Sequence, residues 1–344
     1  MQLKENDIIQ SARLYIYMSG NMGGKLRWIK TARIFEKMGL TWKAKRIYLD
    51  DEEIKSLEGK PISEWPEPSY KVGSEKLVWC VPLECDFQHI VDAGFTAIQT
   101  YGPYWQPNHG RDFLDKAHNH GLKVLYSAKS HVHDLLRQGK NWDKDTCKWM
   151  VDEFDSHPAL WAWIYFDEPD AGDDSPKHLV PMELQREIHN AFRSWTDKPL
   201  TTVVRGGTRG WHLVDFSLFD FIMADSYVID GNPCIWDWEP CITWRDALHI
   251  VGQQEREYLD THMPDMPFMF VFQSSDAVAI AAGNYGTRIP ECKIQEQFDI
   301  LNQYQLFSAG VAMYPWSGGD FDPMKEKSLR LEIKKLFEKI NKEV

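Results

Sequence analysis

The stretch His157-Pro158-Ala159-Leu160-Trp161-Ala162-Trp163-Ile164-Tyr165-Phe166-Asp167-Glu168-Pro169-Asp170 decides the fold. An apolar run from Ala159 to Phe166 stops at two adjacent acids and a proline. No polar residue alternates within the run, so it reads as a strand buried on both faces. Such strands belong to parallel sheets covered by helices. Their C-terminal ends are where parallel α/β folds gather ligand-facing side chains. Asp167 and Glu168 stand at such an end.

The same pattern repeats outward from this run. Strands are predicted at Leu77–Val81, Thr96–Tyr101, Lys123–Ala128, Leu160–Phe166, Leu200–Val204, Phe219–Ala224, Phe268–Phe272 and Val311–Tyr314. Helices are predicted at Phe87–Ala93, Arg111–Asn119, Thr146–Phe154, Met182–Trp195, Thr208–Val214, Trp244–Leu259, Cys292–Phe307 and Lys325–Lys342. Gly94, Gly121 and Gly310 follow three of these helices, where a left-handed residue turns the chain back into a strand. Eight βα units predict a (β/α)8 TIM barrel over residues 77–344. A doubly wound sheet is the runner-up, but no Gly-rich phosphate loop follows the first strand. Residues 1–76 fall outside the eight units. Ala32–Tyr48 carries Ile34, Phe35, Met38, Leu40, Trp42 and Ile47 at helical spacing and reads as an N-terminal helical extension. Glu64-Trp65-Pro66-Glu67-Pro68 reads as a proline-stiffened linker.

Composition narrows the function classes. A net charge of −12 argues against a phosphate-tracking nucleic-acid binder. No window approaches the ~18 apolar residues of a membrane span. The N-terminus shows no basic stretch followed by an apolar one, so the expected location is cytoplasmic, or exported if a leader has been removed. The six cysteines lack a CxxC pair and read as thiols, with Cys234 and Cys241 a candidate bridge in an exported protein. No cofactor is implied. Aromatic residues reach 13% with 15 Trp, more than a core needs, and flat rings suit the apolar face of a pyranose.

Every predicted strand ends on polar or aromatic residues. These ends are Glu84, Tyr101 to Trp105, Lys129-Ser130-His131, Asp167-Glu168, Arg205-Gly206-Gly207, Asp225-Ser226-Tyr227, Gln273 to Asp276, and Tyr314-Pro315-Trp316. This concentration implies a binding mouth. Glycoside hydrolysis needs a proton donor and a second carboxylate. A Glu beside aromatics and another acid can keep its proton near neutral pH, which suits Glu168 as the donor. The bland alternative makes Asp167 a helix cap and Glu168 an ion-pair partner. Alternation along the strand places only one of the two acids in the mouth if the strand persists. His131-Val132-His133 offers a second alternative, a metal-dependent hydrolase, but no later strand end adds a His. Lys129, His131 and Arg205 together suit an anionic sugar; a neutral glycan is the rival.

The run from His157 through Phe166-Asp167-Glu168-Pro169 resembles the fourth-strand motif of clan A (β/α)8 glycoside hydrolases and related glycosidases. The resemblance implies that Glu168 is the acid/base and that the substrate is an oligo- or polysaccharide. Phe219 to Tyr227 is similar to the sixth strand of that clan, Arg288-Ile289-Pro290 to the loop before the seventh helix, and Gly310 to Trp316 to the eighth strand, whose Trp floors a sugar subsite. Asp167, Tyr101, Trp105, Lys129, His131, Arg205, Tyr227, Gln273, Tyr314 and Trp316 are then the candidate sugar-binding residues. One departure stands out. The clan places its nucleophile Glu at the end of the seventh strand, where this chain has Gln273. The second carboxylate then falls to Asp225, or less directly to Asp276, or the barrel binds sugar without turning it over.

Overall fold

The computed structural model describes residues 73–101, 107–170, 179–208, 210–225, 244–273, 292–315 and 323–343, with four short strands nearer the N-terminus. Backbone contacts divide the chain into Met1–Tyr70 and Lys71–Val344. In the first unit the described strands are β1 (Ile8–Gln10), β2 (Leu14–Met18), β3 (Lys25–Ile29) and β4 (Arg46–Tyr48). They form one sheet in the order β3-β2-β1-β4. The expected helical extension is therefore corrected at its end. Arg46–Tyr48 pairs in parallel with Ile8–Gln10, a partner far back in the chain that local spacing does not reveal. Residues 32–45 of that expected helix and the 64–68 linker lie outside the described residues.

The second unit is a closed barrel of eight parallel strands. In chain order they are β5 (Glu75–Val78), β6 (Ala97–Gln99), β7 (Lys123–Ser127), β8 (Leu160–Asp167), β9 (Leu200–Arg205), β10 (Phe221–Asp225), β11 (Phe268–Gln273) and β12 (Gly310–Tyr314). β12 pairs with β5 and closes the ring. The described helices are α1 (Phe87–Asp92), α2 (Pro107–Asn119), α3 (His133–Arg137), α4 (Lys144–Phe154), α5 (Met182–Arg193), α6 (Trp244–His262), α7 (Cys292–Asn302) and α8 (Lys327–Glu343). All eight expected strands are present. One expected helix is not: Thr208–Val214 holds only a 3-10 turn at Trp211–Leu213, followed by another at Phe216–Leu218. Thr208 has φ +60°, outside helical space, and Gly210 sits against the backbone of Asp170. The short helix α3 and the 3-10 turn Lys129–His131 before it are additions that sequence reasoning missed.

Strand alternation sorts the core into two layers. Leu77, Ala97, Leu125, Ala162, Ile164, Val203, Met223, Met269, Val271 and Ala312 fill the barrel interior. Val78, Ile98, Val124, Trp163, Val204, Ile222, Phe270 and Met313 pack outward against the helices. The start of β8 is pinned by His157, whose Nε2 lies 3.1 Å from Asp115 of α2 and whose Nδ1 accepts the Ala159 N–H at 3.1 Å. Trp163 is fully buried and its indole N–H donates to Asp155 at 2.9 Å. Cys80, Cys85 and Cys147 form no disulfide among the described residues, and Cys234 and Cys241 lie outside them. No described helix is long and apolar enough to cross a membrane.

Two glycines separate backbone conformation from space. Gly121 has φ +69° with nothing near its missing side chain. Gly310 has φ +144°, and a Cβ there would meet the Glu75 carbonyl oxygen at 2.3 Å. Urea unfolding should show Gly121→Ala costing about 1 kcal/mol and Gly310→Ala about 3 kcal/mol. Equal costs would mean that β12 does not close on β5 as described.

Candidate active site

The site begins with an irregularity in β8. The pairing of β8 with β9 shifts register between Ile164 and Phe166. Ile164 belongs to the barrel interior, whereas Tyr165 and Phe166 both pack outward. A bulge of this kind resets the alternation, so the Asp167 carboxylate turns inward. It accepts from the Tyr101 hydroxyl at 3.1 Å and from Lys129 Nζ at 2.5 Å. Lys129 also lies 4.5 Å from the centre of the Tyr101 ring, a cation–π contact. The Asp167 N–H donates to His133 Nδ1 at 3.1 Å. That bond requires neutral imidazole with its proton on Nε2. Burial opposes the charge on Lys129, but the Asp167 charge and hydrogen bond outweigh it and raise the Lys129 pKa.

Glu168 leaves the strand at once. Its φ is +55°, in the left-handed region, while its N–H still donates to the Val203 carbonyl at 2.8 Å. The strand does not persist, so the alternation that would have separated the two acids no longer applies. The Glu168 side chain is partly buried, 26% exposed, with Arg137 Nη2 3.9 Å away, too far for a hydrogen bond. Burial first, then the Asp167 charge, pushes its pKa up to about 7, against the opposing pull of Arg137, Arg205 and Lys129. A carboxyl with that pKa is a competent proton donor near neutrality.

The other strand ends close the mouth. Asp225 ends β10, is buried, and lies beside Arg205 of β9 and Val271 of β11 in the ladder. Burial and then the charges of neighbours, Asp225 among them, raise the phenols of Tyr101 and Tyr314. Cys80 follows β5 with φ +59°, and burial pushes its thiol up to about 12, so it is no thiolate at neutral pH. Arg205 is almost fully buried against Asp170. Asp170 itself is pushed up to about 7, chiefly by burial, with hydrogen bonding and charge from Arg205 opposing. Trp79 stacks obliquely on Tyr101 at 5.4 Å beneath this layer.

The structure thus brings together Tyr101, Lys129, Asp167, Glu168, Arg205, Asp225 and Tyr314. Gln273 ends the seventh barrel strand. Trp105, Tyr227, Asp276 and Trp316 lie outside the described residues. The expected metal pair separates: His133 Nδ1 is occupied by the Asp167 N–H, while His131 Nδ1 lies 3.8 Å from Asp143. Burial lowers the His131 pKa despite Asp143. Among the described residues no three His, Cys, Asp or Glu side chains are grouped to hold a metal ion. Sequence reasoning missed His133 as a support for Asp167, Arg137 near Glu168, and Asp170. Asp170 was legible as the next acid after Asp-Glu-Pro; the other two sit on α3, which gave no clear helical signal.

No protein-family model matches the chain, and no curated protein matches it by sequence. The fold is similar to solved structures of β-glucuronidase from Ruminococcus gnavus. The apo form gives a TM-score of 0.53 at 15% identity, covering 77% of this chain and 49% of that one. The complex with D-glucuronic acid gives 0.54 at 16% identity, covering 77% and 49%. The chain therefore spans about half the length of these structures, and the likeness is one of fold. It is a (β/α)8 TIM barrel.

The raised carboxyl of Glu168 has a consequence for stability. Its folded pKa of about 7 lies above the unfolded value, so the unfolded chain ionises first as pH rises. Stability contributed by the protonated form is intact below about pH 4, falls up to about pH 7, and stays lost above it. Glu168→Gln removes that loss. Thermal unfolding should show the variant gaining on the wild type between pH 4 and pH 8; a gap that does not widen with pH would rule out the raised carboxyl.

Proposed function

We propose that this protein is a glycoside hydrolase in which Glu168 donates a proton to the leaving oxygen and Asp225 is the second carboxylate. The observation that carries the reading is the contrast between two adjacent acids. Asp167 is held by Lys129 and Tyr101, while Glu168 is partly buried with no hydrogen-bonded cation among the described residues and its pKa is pushed up to about 7. A raised carboxyl suits the proton donor, and the ion-paired Asp167 leaves the second role to a carboxylate elsewhere in the mouth. Asp225 is buried, ends the sixth strand, and lies among the aromatics of the same mouth. It serves as nucleophile or as base toward water, according to its separation from Glu168 across the bound sugar. Trp105, Tyr227 and Trp316 remain the proposed sugar platforms, with Asp276 the alternative carboxylate.

The substrate is an oligo- or polysaccharide. Lys129 and Arg205, two of the cations that suggested an anionic sugar, already face Asp167 and Asp170. Neutral glycans are therefore the expected substrates. A panel of 4-nitrophenyl glycosides tests this, with neutral sugars turned over ahead of uronides; a strict preference for uronides would reverse it.

On any substrate found, Glu168→Gln should lower kcat by about 10²–10⁴-fold with little change in binding. The wild-type kcat/KM should fall as pH rises through about 7, because Glu168 must be protonated to act. Full activity in the Gln variant would end the proposal. Asp225→Ala should be comparably slow, and added azide should restore turnover of activated glycosides. A second reading, a barrel that binds sugar without hydrolysis, is favoured by Gln273 at the end of β11. Saturable glycan binding with no turnover in the wild type would establish it.

A further inference from the structure

Resting on the reading of Glu168 as the acid, we propose that Asp170 and Arg205 are positioning residues, a buried latch that holds Glu168 in the mouth without touching substrate. This assigns Arg205 a different task from the sugar contact its place after the fifth strand suggests.

The two residues bind each other reciprocally. Both carboxylate oxygens of Asp170 accept the Arg205 N–H at 3.1 Å. In return Arg205 Nη2 donates to the Asp170 carbonyl at 3.3 Å, and its Nε lies 3.8 Å from Oδ2. Asp170 is 1% exposed and Arg205 6%. Neither is placed to meet a ligand from solvent. The partner side of the latch is itself fixed. The Arg205 carbonyl accepts the Trp211 indole N–H at 2.7 Å, and Trp211 is fully buried. The Gly207 N–H donates to Glu255 at 3.2 Å, and Glu255 is fully buried. The loop closes so tightly that a Cβ on Gly210 would sit 2.4 Å from the Asp170 carbonyl oxygen.

Only Pro169 separates Asp170 from Glu168. Proline fixes its own φ, so what holds Asp170 also limits Glu168. A non-glycine residue stays in the left-handed region only where its surroundings over-determine it. On one side the Glu168 N–H is bonded to Val203, and on the other the latch grips two residues on. The same strand end reaches the second proposed carboxylate, since the Gly206 N–H donates to the Asp225 carbonyl at 2.6 Å. A buried ion pair is weak support for stability alone, because desolvation offsets its attraction. Its value here is geometric.

The test is a leaving-group comparison on 2,4-dinitrophenyl and phenyl glycosides of one sugar. The first leaves without a proton and the second needs one. Asp170→Ala should slow kcat on the phenyl glycoside by about 10²-fold or more and on the dinitrophenyl glycoside by less than about 10-fold, with KM little changed. Asp170→Asn, which keeps an acceptor for the Arg205 N–H, should recover most of the loss. Arg205→Lys should fall between them. Equal loss on both substrates, or none, overturns the latch. If Glu168→Gln shows no leaving-group dependence, the acid assignment fails; if it does and Asp170→Ala does not, only the latch fails. A crystal structure of Asp170→Asn and of Asp170→Ala gives an answer without turnover. Glu168 should keep its left-handed φ in the first and lose it in the second. An unmoved Glu168 in Asp170→Ala also overturns the proposal.

Discussion

The register shift between Ile164 and Phe166 is the constraint on which the site depends. Uninterrupted alternation from Ala162 and Ile164 would carry Phe166 inward and Asp167 outward. Asp167 would then lie among Phe154, Phe192 and the other rings that cover the barrel. A carboxylate left there without a partner carries a heavy desolvation penalty. The bulge places two large rings, Tyr165 and Phe166, on the outer side and frees the next position for the mouth. Tyr165 then stacks on Phe192 at 4.6 Å and its hydroxyl meets His189 at 3.1 Å. The same irregularity thus improves the outer core and aims the acid.

Once Asp167 faces inward, its neighbours determine the rest of the electrostatics. Lys129 comes from the turn after β7 and Tyr101 from the end of β6, so three consecutive strands supply one hydrogen-bonded cluster. His133, from the short helix beyond Lys129, anchors the backbone of Asp167. The Asp167 charge then works on Glu168, reinforcing what burial already does. Removing Lys129 would leave Asp167 buried without its cation. The proton on Glu168 is therefore tied to residues on other strands, and the carboxyl is tuned by the fold rather than by its sequence neighbours alone.

The barrel was legible in the sequence because strands covered on both faces are continuous apolar runs. Leu160–Phe166 and Phe268–Phe272 announce themselves without any partner. The mouth was legible as a set of residue types at strand ends. What each residue does there was not. Arg205 sits at a strand end like a ligand-binding cation, yet it is almost fully buried against Asp170. His131 and His133 have metal-pair spacing, yet their rings face different partners. Those partners are chosen by tertiary register, and the register includes a bulge that no local pattern marks. Thr208–Val214 failed as a helix because Thr208 takes φ +60°, and Gly210 in it approaches Asp170 closely, a contact with no local signal. Arg46–Tyr48 failed because its pairing partner lies far earlier in the chain.

Residues with positive φ occur at both ends of the barrel. On the returns into strands, Gly94 and Gly121 precede strands and Gly310 opens one, each with positive φ, while Gln305 takes φ +60° there with a side chain attached. At the opposite end Gly207 has positive φ too, and Cys80, Glu168 and Thr208 take φ of +59°, +55° and +60° with side chains attached. A side chain there costs about 1–2 kcal/mol. Glycine would avoid that cost at each place. Glu168 cannot be replaced so cheaply if its carboxyl is needed where the strand ends. At Glu168 the strain is held in place by the N–H bond to Val203, and the side chain it keeps there is the one the proposed mechanism needs.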